Sequence, residues 1–193
     1  MSLERALAVF TPDEYLALER QSEIRHEFLD GTVYAMAGES LAHSAICFNL
    51  AGALHPQLRE ANCRGLSPNM KVRAGEAGLY ADPDLAIVCG EAIFHDKHRD
   101  VLLNPTVIFE VLSRSTQAYD RSEKFERYKL IETLRDYVLV SQDRPRLEHF
   151  SRQPDDTWSH AELDGPDAAL LLDSINCRVR LADIYDRIDF NTA

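Results

Sequence analysis

Glu110 is an acidic residue inside an apolar segment, where an ionised side chain needs compensation. It lies in the run Val107–Leu112, whose other members are the β-branched, aromatic and aliphatic residues of a strand buried on both faces. Burying an unpaired carboxylate is costly, so a salt bridge, a raised pKa or a bound cation must accompany it. Glu110 is therefore a candidate either for chemistry or for a structural ion pair.

Asp84 has the same relation to the preceding apolar run. It follows Pro83 and stands directly before Leu85–Cys89, which we predict to be a neighbouring central strand. Two carboxylates on adjacent strands offer the rigid oxygen ligands that a hard divalent cation prefers. Without a cation they repel each other, which raises the pKa of one of them. The alternative is that each acid pairs with an internal Arg or Lys, or caps a backbone group.

Two helices are predicted in the first third of the chain. Thr11 can cap a helix, Pro12 suits its first position, and Glu14 can complete a capping box, so we expect a helix that reaches about Arg20. Residues 41–60 have apolar side chains at helical spacing and predict the second helix.

The strand signals of the first half are a hairpin and an extended segment. Residues 26–37 alternate around Asp30-Gly31, which is a strong signal for a two-residue β-turn. Residues 70–74 predict a strand that leads into a glycine-containing turn at 75–78.

The second half of the chain continues with alternating helix and strand signals. A helix over about 120–134 begins with Asp120 and Glu123 in positions to form a capping box. Three more elements follow it: a strand at 136–141, a hairpin closed by residues 153–156, and a short helix over 181–188.

The order of these elements predicts the fold class. Antiparallel hairpins at the ends and a strand–helix–strand unit in the centre favour an α/β fold, with a mixed central β-sheet flanked by helices. A length of 193 residues fits one domain with a core of its own, so we expect a single domain over residues 1–193.

The charge of the chain sets a constraint on its partners. With 21 basic and 32 acidic residues the net charge is -11, whereas phosphate binding usually draws on clustered Lys and Arg. Residues 114–129 hold five basic and three acidic side chains, which is a local positive excess. This excess favours a phosphate-binding surface, and the alternative is a solvated helix face.

Cysteine usage and hydropathy bear on the compartment. The four cysteines are widely spaced and form no CxxC pair, which predicts reduced thiols and argues against a zinc cage or a redox motif. The chain has no run long enough to span a membrane, and its opening residues lack the form of a signal peptide. We therefore expect a cytoplasmic protein without a membrane partner.

Several short motifs occur together in a specific order. They are residues 11–15, 27–31, 82–85 (Asp-Pro-Asp-Leu), 110–113 (Glu-Val-Leu-Ser), 120–124 (Asp-Arg-Ser-Glu-Lys) and 182–186. The set resembles the Uma-type endonuclease family, a domain-of-unknown-function family within the PD-(D/E)XK restriction-endonuclease-like superfamily. The resemblance covers nearly the whole chain and implies a restriction-endonuclease-like core.

This resemblance implies a metal site and a catalytic lysine. A magnesium or manganese ion would be bound by Asp84, Glu110 and the backbone carbonyl of Val111. The superfamily has a lysine two residues after the glutamate, but here that position is Leu112. The resemblance implies that the lysine has moved to Lys124, from which a long side chain can reach the same space. The alternative for Lys124 is an exposed helix lysine.

Further residues match the family at single positions. Glu27 matches an upstream acid that assists the metal or orients water, and its alternative is a surface salt bridge. His43 matches a histidine near the start of the second helix, and its alternative is a histidine without catalytic duty. Ser113 and Ser115 follow Glu110 closely and are candidates to contact phosphate, although loop serines usually serve turns.

The predicted function is metal-dependent hydrolysis of nucleic-acid phosphodiester bonds by an endonuclease. DNA is the expected substrate, and a homodimer is expected because superfamily members that cut both strands commonly pair. One alternative is a nuclease-like module that has lost catalysis and serves binding or regulation, which the acidic net charge and the absence of a lysine at position 112 favour. Another is a hydrolase that uses Asp84 and Glu110 directly on a sugar or acyl group, whose activity would survive chelation.

Overall fold

The computed structural model of the protein describes residues 9–36, 38–76 and 78–190. In these residues the chain forms five α-helices and thirteen strands. The helices are α1 (Pro12–Glu19), α2 (Leu41–Leu58), α3 (Gln117–Arg121), α4 (Glu123–Tyr128) and α5 (Leu181–Ile184). The strands are β1 (His26–Leu29), β2 (Thr32–Ala35), β3 (Cys63–Leu66), β4 (Lys71–Ala74), β5 (Leu79–Ala81), β6 (Leu85–Cys89), β7 (Val101–Leu102), β8 (Val107–Leu112), β9 (Asp136–Ser141), β10 (Arg146–Arg152), β11 (Trp158–Asp164), β12 (Ala169–Leu172) and β13 (Cys177–Arg180).

The strands form two larger sheets and a separate hairpin. The six-stranded sheet has the order β11-β10-β9-β8-β6-β3, the five-stranded sheet has the order β2-β1-β5-β4-β7, and β12 pairs with β13. Each large sheet is mixed, because β8 and β9 are parallel in one and β4 and β7 are parallel in the other. The predicted α/β class with a mixed sheet, flanking helices and antiparallel hairpins is confirmed.

The local signals at the start of the chain are confirmed. Thr11 caps α1 in a full capping box with Glu14. The turn between β1 and β2 is formed by Asp30 and Gly31, whose positive φ angles of 45° and 90° are those that a two-residue hairpin turn requires. Ala37, at the end of the predicted hairpin segment, lies outside the described residues.

The core is layered around the six-stranded sheet. One face packs against α2, α5 and the β12–β13 hairpin, with Ile46 and Leu50 of α2 in the same cluster as Phe109. The other face packs against α4 and the five-stranded sheet, through residues such as Tyr128. Tyr15 of α1 belongs to a third cluster with β1 and β5. The sequence predicted helices on both faces but not a second sheet in one of these layers.

The predicted helix over 120–134 is wrong in its start, its length and its cap. The chain forms two short helices, α3 and α4, which break at Ser122, and Ser122 makes no side-chain cap. Asp120 lies inside α3 with its side chain buried, 3.7 Å from the ammonium of Lys124. It cannot cap the helix because its carboxylate faces this buried lysine. The last helix, α5, is also shorter than the predicted 181–188.

The prediction of four reduced thiols is wrong for one pair of cysteines. Cys63 and Cys89 form a disulfide, because the antiparallel register of β3 and β6 places them directly opposite each other. No sequence pattern predicted a strand at β3, so the two cysteines could not be placed opposite each other in advance. Cys47 and Cys177 are free. The cytoplasmic location loses the support it drew from reduced thiols and stays a prediction.

Two other expectations concern the chain as a whole. None of the helices in the described ranges is both long and apolar enough to cross a bilayer. The opening residues 1–8, and Ala77 in the predicted 75–78 turn, lie outside those ranges. The single domain over 1–193 stays a prediction.

Two glycines give a paired stability prediction. A Cβ at Gly31 would sit 2.9 Å from Cγ1 of Val9 at a φ of 90°, so Gly31→Ala should destabilise the fold by about 1–3 kcal/mol. Gly52 lies within α2 with open space around it, so Gly52→Ala should stabilise by about 0.5–1 kcal/mol. Urea unfolding of both variants measures the two changes in the free energy of unfolding. Changes of the same sign in both variants would contradict the prediction.

Candidate active site

Asp84 and Glu110 meet at the end of two paired strands. In the antiparallel register of β6 and β8, Leu85 lies opposite Phe109, so the next residues along are Asp84 and Glu110. Both acids line a cavity of about 250 Å³. The structure thus brings together the two acids that the sequence selected.

Asp84 is held by the backbone and by a histidine. Its Oδ2 accepts a hydrogen bond of 2.6 Å from the amide of Val111 and lies 3.2 Å from Nε2 of His43. The side chain keeps 14% of its surface exposed. Asp84 therefore has a fixed position, with part of its carboxylate facing the cavity.

Glu110 is buried and shares one oxygen between two donors. Its Oε1 accepts a 3.1 Å hydrogen bond from the hydroxyl of Tyr128 and lies 2.9 Å from Nζ of Lys124. Burial raises the pKa of Glu110 well above its ordinary value; Lys124 opposes this shift, while the charges of Asp120 and Asp84 add to it. A proton or a cation is therefore favoured at this carboxylate, as expected for crowded acids.

Lys124 is a buried cation between carboxylates. Its Nζ lies 2.9 Å from Oε1 of Glu27 and 2.9 Å from Oε1 of Glu110, and its side chain is 5% exposed. Burial by itself would lower the pKa of Lys124, but the two glutamates outweigh it and raise the pKa well above its ordinary value. The alternatives of an exposed helix lysine and of a surface salt bridge at Glu27 both fail, because both side chains are buried.

Asp120 also lines the cavity, although its sequence pattern predicted a helix cap. It is 4% exposed, lines the same cavity and has a pKa that burial raises, with Lys124 opposing the shift. The signal that could have found it is the spacing of four between Asp120 and Lys124, which places two side chains on one helix face.

The other predicted positions also reach the cavity. Val111 lines it, and its amide is bound to Asp84; a metal contact by its carbonyl stays a prediction. Ser113 and Ser115 line it too, with their hydroxyls 3.0 Å apart. Ser113 also accepts from the amide of Thr116, so it serves the turn after β8.

His43 connects Asp84 to the second helix. It is buried near the start of α2, and its Nδ1 lies 3.6 Å from Sγ of Cys47 and 3.6 Å from Oε2 of Glu39. Burial alone would lower the pKa of His43, but the hydrogen bond and charge of Asp84, with the charge of Glu39, raise it overall. His43, Cys47 and Asp84 place their potential ligand atoms within 4.8 Å of one another.

The charge of the cavity lining fits a bound cation. Among the residues that the structure describes, six acidic side chains and two Lys or Arg side chains line it. The acids are Glu27, Glu39, Asp82, Asp84, Glu110 and Asp120, and the bases are Arg25 and Lys124. Oxygen ligands in excess over positive charge suit a hard divalent ion. The residues present therefore fit a divalent cation, and Asp84 and Glu110 as ligands of a magnesium or manganese ion stay a prediction.

The predicted positive segment 114–129 is mostly neutralised by ion pairs. Four of its five basic side chains have acidic partners within the described chain: Arg121 with Glu148, Lys124 with Glu27 and Glu110, Arg127 with Asp30, and Lys129 with Glu126. The segment therefore offers little free positive charge for phosphates.

A known protein family matches most of this chain. Residues 12–182 match the family model Uma2, described as "Putative restriction endonuclease". The match covers most of the chain. The chain belongs to the Uma2 family.

Two proteins of Synechocystis sp. are similar to this Uma2 chain along most of their length. Uncharacterized protein sll1609 is 32% identical over 162 residues, which are 84% of this chain and 92% of that protein. Uncharacterized protein slr1290 is 31% identical over 180 residues, which are 93% of each.

A solved structure shares the fold of this Uma2 member. It is the crystal structure of a "putative nuclease belonging to DUF820" from Anabaena variabilis, with a TM-score of 0.75 and 17% identity, covering 91% of this chain and 97% of that one. Family and fold together indicate a nuclease of the restriction-endonuclease-like type, a fold that generally uses a divalent metal.

Proposed function

We propose that the protein is a metal-dependent endonuclease that hydrolyses phosphodiester bonds of nucleic acid, with DNA as its substrate. The observation that carries this proposal is one cavity in which Asp84 and Glu110 adjoin on paired strands beside the buried ammonium of Lys124. Metal-assisted hydrolysis of a phosphodiester uses a cation held by carboxylates and a positive group close to it, and the side chains of this cavity suit both roles.

Asp84, Glu110 and the carbonyl of Val111 are the proposed ligands of a magnesium or manganese ion. When bound, the ion would lower the pKa of a coordinated water and polarise the phosphate. The amide of Val111 fixes the carboxylate of Asp84, which limits its motion before a metal arrives. Rigid placement of this kind is what a metal site on strands requires.

Lys124 is the proposed group that orients the attacking water or stabilises negative charge on the phosphate. Its ammonium stays protonated, because the glutamates around it raise its pKa. Glu27 fixes the position of that ammonium through the 2.9 Å contact. Glu27 therefore acts on the reaction through Lys124, which is a more specific role than the metal assistance suggested by the sequence.

A second candidate is a binding module without catalysis. The same contacts favour it, since Lys124 already neutralises part of the charge on Glu27 and Glu110, and the chain carries a net charge of -11. The two candidates differ in metal binding, because a site satisfied by its own lysine should not take up a divalent ion.

Manganese calorimetry on the wild type, Glu110→Gln and an exposed control, Glu132→Gln, tests the proposal. We expect binding by the wild type and the control and its loss in Glu110→Gln. The affinity should increase as pH rises from about 5 to 8, because the pKa of Glu110 is raised and a proton competes with the metal below that pKa. Absence of wild-type binding at millimolar manganese would favour the module.

The homodimer and the cytoplasmic location also belong to this proposal and rest on the family resemblance and the sequence. Light scattering of the purified protein at micromolar concentration measures its mass. A mass of 21.9 kDa, that of one chain, would contradict the homodimer.

A further inference from the structure

Arg25 and Glu39 form a loose ion pair inside the lining of the cavity. Nη2 of Arg25 lies 3.4 Å from Oε1 of Glu39, and both side chains are 34% exposed. Tight charge-assisted hydrogen bonds are about 2.7–2.9 Å long, and Arg20 makes such contacts with Asp96 and Asp100 at 2.7 Å. The pair of Arg25 with Glu39 is therefore weak and open to exchange.

The guanidinium of Arg25 is nevertheless held in place. Its Nη1 donates a 3.0 Å hydrogen bond to the carbonyl of Pro68. Arg25 lines the same cavity as Asp84 and Glu110. One end of the guanidinium is thus anchored to the backbone, while the other end faces a carboxylate that holds it only loosely. A planar guanidinium that is anchored at one end and loosely paired at the other is suited to bind a phosphate.

Glu39 is placed where an anion is favoured from a second side. Its other oxygen lies 3.6 Å from Nδ1 of His43. Glu39 precedes Ser40, which caps the 18-residue helix α2, and the first turn of α2 has no acidic side chain. Since Ser40 also lines the cavity, the positive end of the dipole of α2 lies beside the cavity. Arg25, His43 and the helix start together surround the carboxylate of Glu39.

We propose that Arg25 and the N-terminus of α2 at Ser40 form a binding site, here called the seat, for a phosphate of the substrate strand. The carboxylate of Glu39 occupies this seat until nucleic acid displaces that carboxylate. The class of ligand rests on the proposed function. The cavity would then hold the cation at Asp84 and Glu110 and the neighbouring phosphate at Arg25. Glu39 competes with the substrate, which lowers affinity and limits binding to anions that displace it.

The test is binding of a fluorescein-labelled, mixed-sequence single-stranded DNA 20-mer, followed by fluorescence anisotropy in EDTA at several salt concentrations. EDTA prevents metal-dependent cleavage, so the readout is affinity alone. Arg25→Gln should weaken binding by about tenfold and reduce the slope of log K against log salt by about 0.7, the contribution of one phosphate contact in a single strand. Glu39→Gln should strengthen binding by about threefold to tenfold.

Matched controls separate the seat from a change in net charge. Arg59→Gln and Glu60→Gln make the same charge changes at the other end of α2, about 27 Å away for a helix of its length. Both should change affinity by less than twofold. In the double variant Arg25→Gln, Glu39→Gln, the gain from Glu39→Gln should disappear, because the competition needs Arg25.

Several outcomes would overturn the seat. One is an Arg25→Gln variant with wild-type affinity and salt slope, and another is a gain in affinity of Glu39→Gln that is no larger than that of Glu60→Gln. A third is a gain in affinity that persists in the double variant. The last is failure of both the wild type and Glu39→Gln to bind the probe. Failure of the proposed function can be told apart from failure of the seat. In that case calorimetry would show no manganese binding and no DNA would be cleaved, while the effects of Arg25→Gln and Glu39→Gln on DNA affinity would remain coupled.

Discussion

Asp84→Asn is expected to reduce manganese-dependent cleavage of DNA by at least about a hundredfold while the protein stays folded. The amide oxygen of asparagine can still accept the hydrogen bond from Val111, so the turn before β6 keeps its geometry. What is lost is the negative charge that a divalent cation requires. The variant therefore separates metal binding from structural support.

The measurement is the rate of cleavage of plasmid and single-stranded DNA with manganese, with magnesium and with EDTA. Thermal melting checks the fold of each variant. Asp186→Asn is a matched control, because Asp186 is exposed and its carboxylate lies 3.8 Å from the guanidinium of Arg187. The control should keep full activity. Cleavage by Asp84→Asn within threefold of the wild type would remove Asp84 from the site, and cleavage that survives EDTA would favour direct acid–base hydrolysis.

Lys124→Met is expected to destabilise the metal-free protein by about 3–5 kcal/mol. The substitution keeps most of the side-chain volume but leaves the buried carboxylates of Glu27 and Glu110 without their shared cation. Removing one partner of a buried ion pair is costly, because the remaining charge cannot return to water. The pKa of Glu110 should rise further, since Lys124 is the group that opposes the effect of burial.

The pH dependence of this variant has a defined sign. The group that decides the sign is the carboxyl of Glu110, whose pKa is raised in the folded state. Such a group contributes stability below the pKa it has in the unfolded state, and that contribution is lost as pH rises through its folded-state pKa. Lys124→Met should therefore be closest to the wild type in stability near pH 5, and the deficit should grow towards pH 8. Manganese should restore part of the loss if the carboxylates bind it.

Thermal and urea unfolding at pH 5 and pH 8, with and without manganese, measure these effects. Lys97→Met is the control, because Lys97 is exposed in a loop; its stability should change by less than about 0.5 kcal/mol. A Lys124→Met variant as stable as the wild type at pH 8 without metal would contradict the buried network. Loss of cleavage in a manganese-stabilised variant would support a direct role for the ammonium.

The sequence by itself determined the elements whose signals are local. The capping box at Thr11 and Glu14 and the turn at Asp30-Gly31 each act over a few residues, and the structure has them. Asp84 and Glu110 were also predicted from local signals, because each lies in or next to an apolar run. A carboxylate beside or within a buried strand needs compensation wherever it occurs. Lys124 came from the family resemblance rather than from spacing.

The tertiary structure decided the contacts between distant positions. The pairing of Cys63 with Cys89 depends on the register of a strand with no sequence signal, and the meeting of Glu27 with Lys124 joins residues 97 positions apart. Asp120 is buried beside Lys124 in the lining of the cavity, although its local pattern favoured a helix cap. Local propensity acts along a few residues of chain, whereas sheet register and packing decide which distant side chains share a cavity.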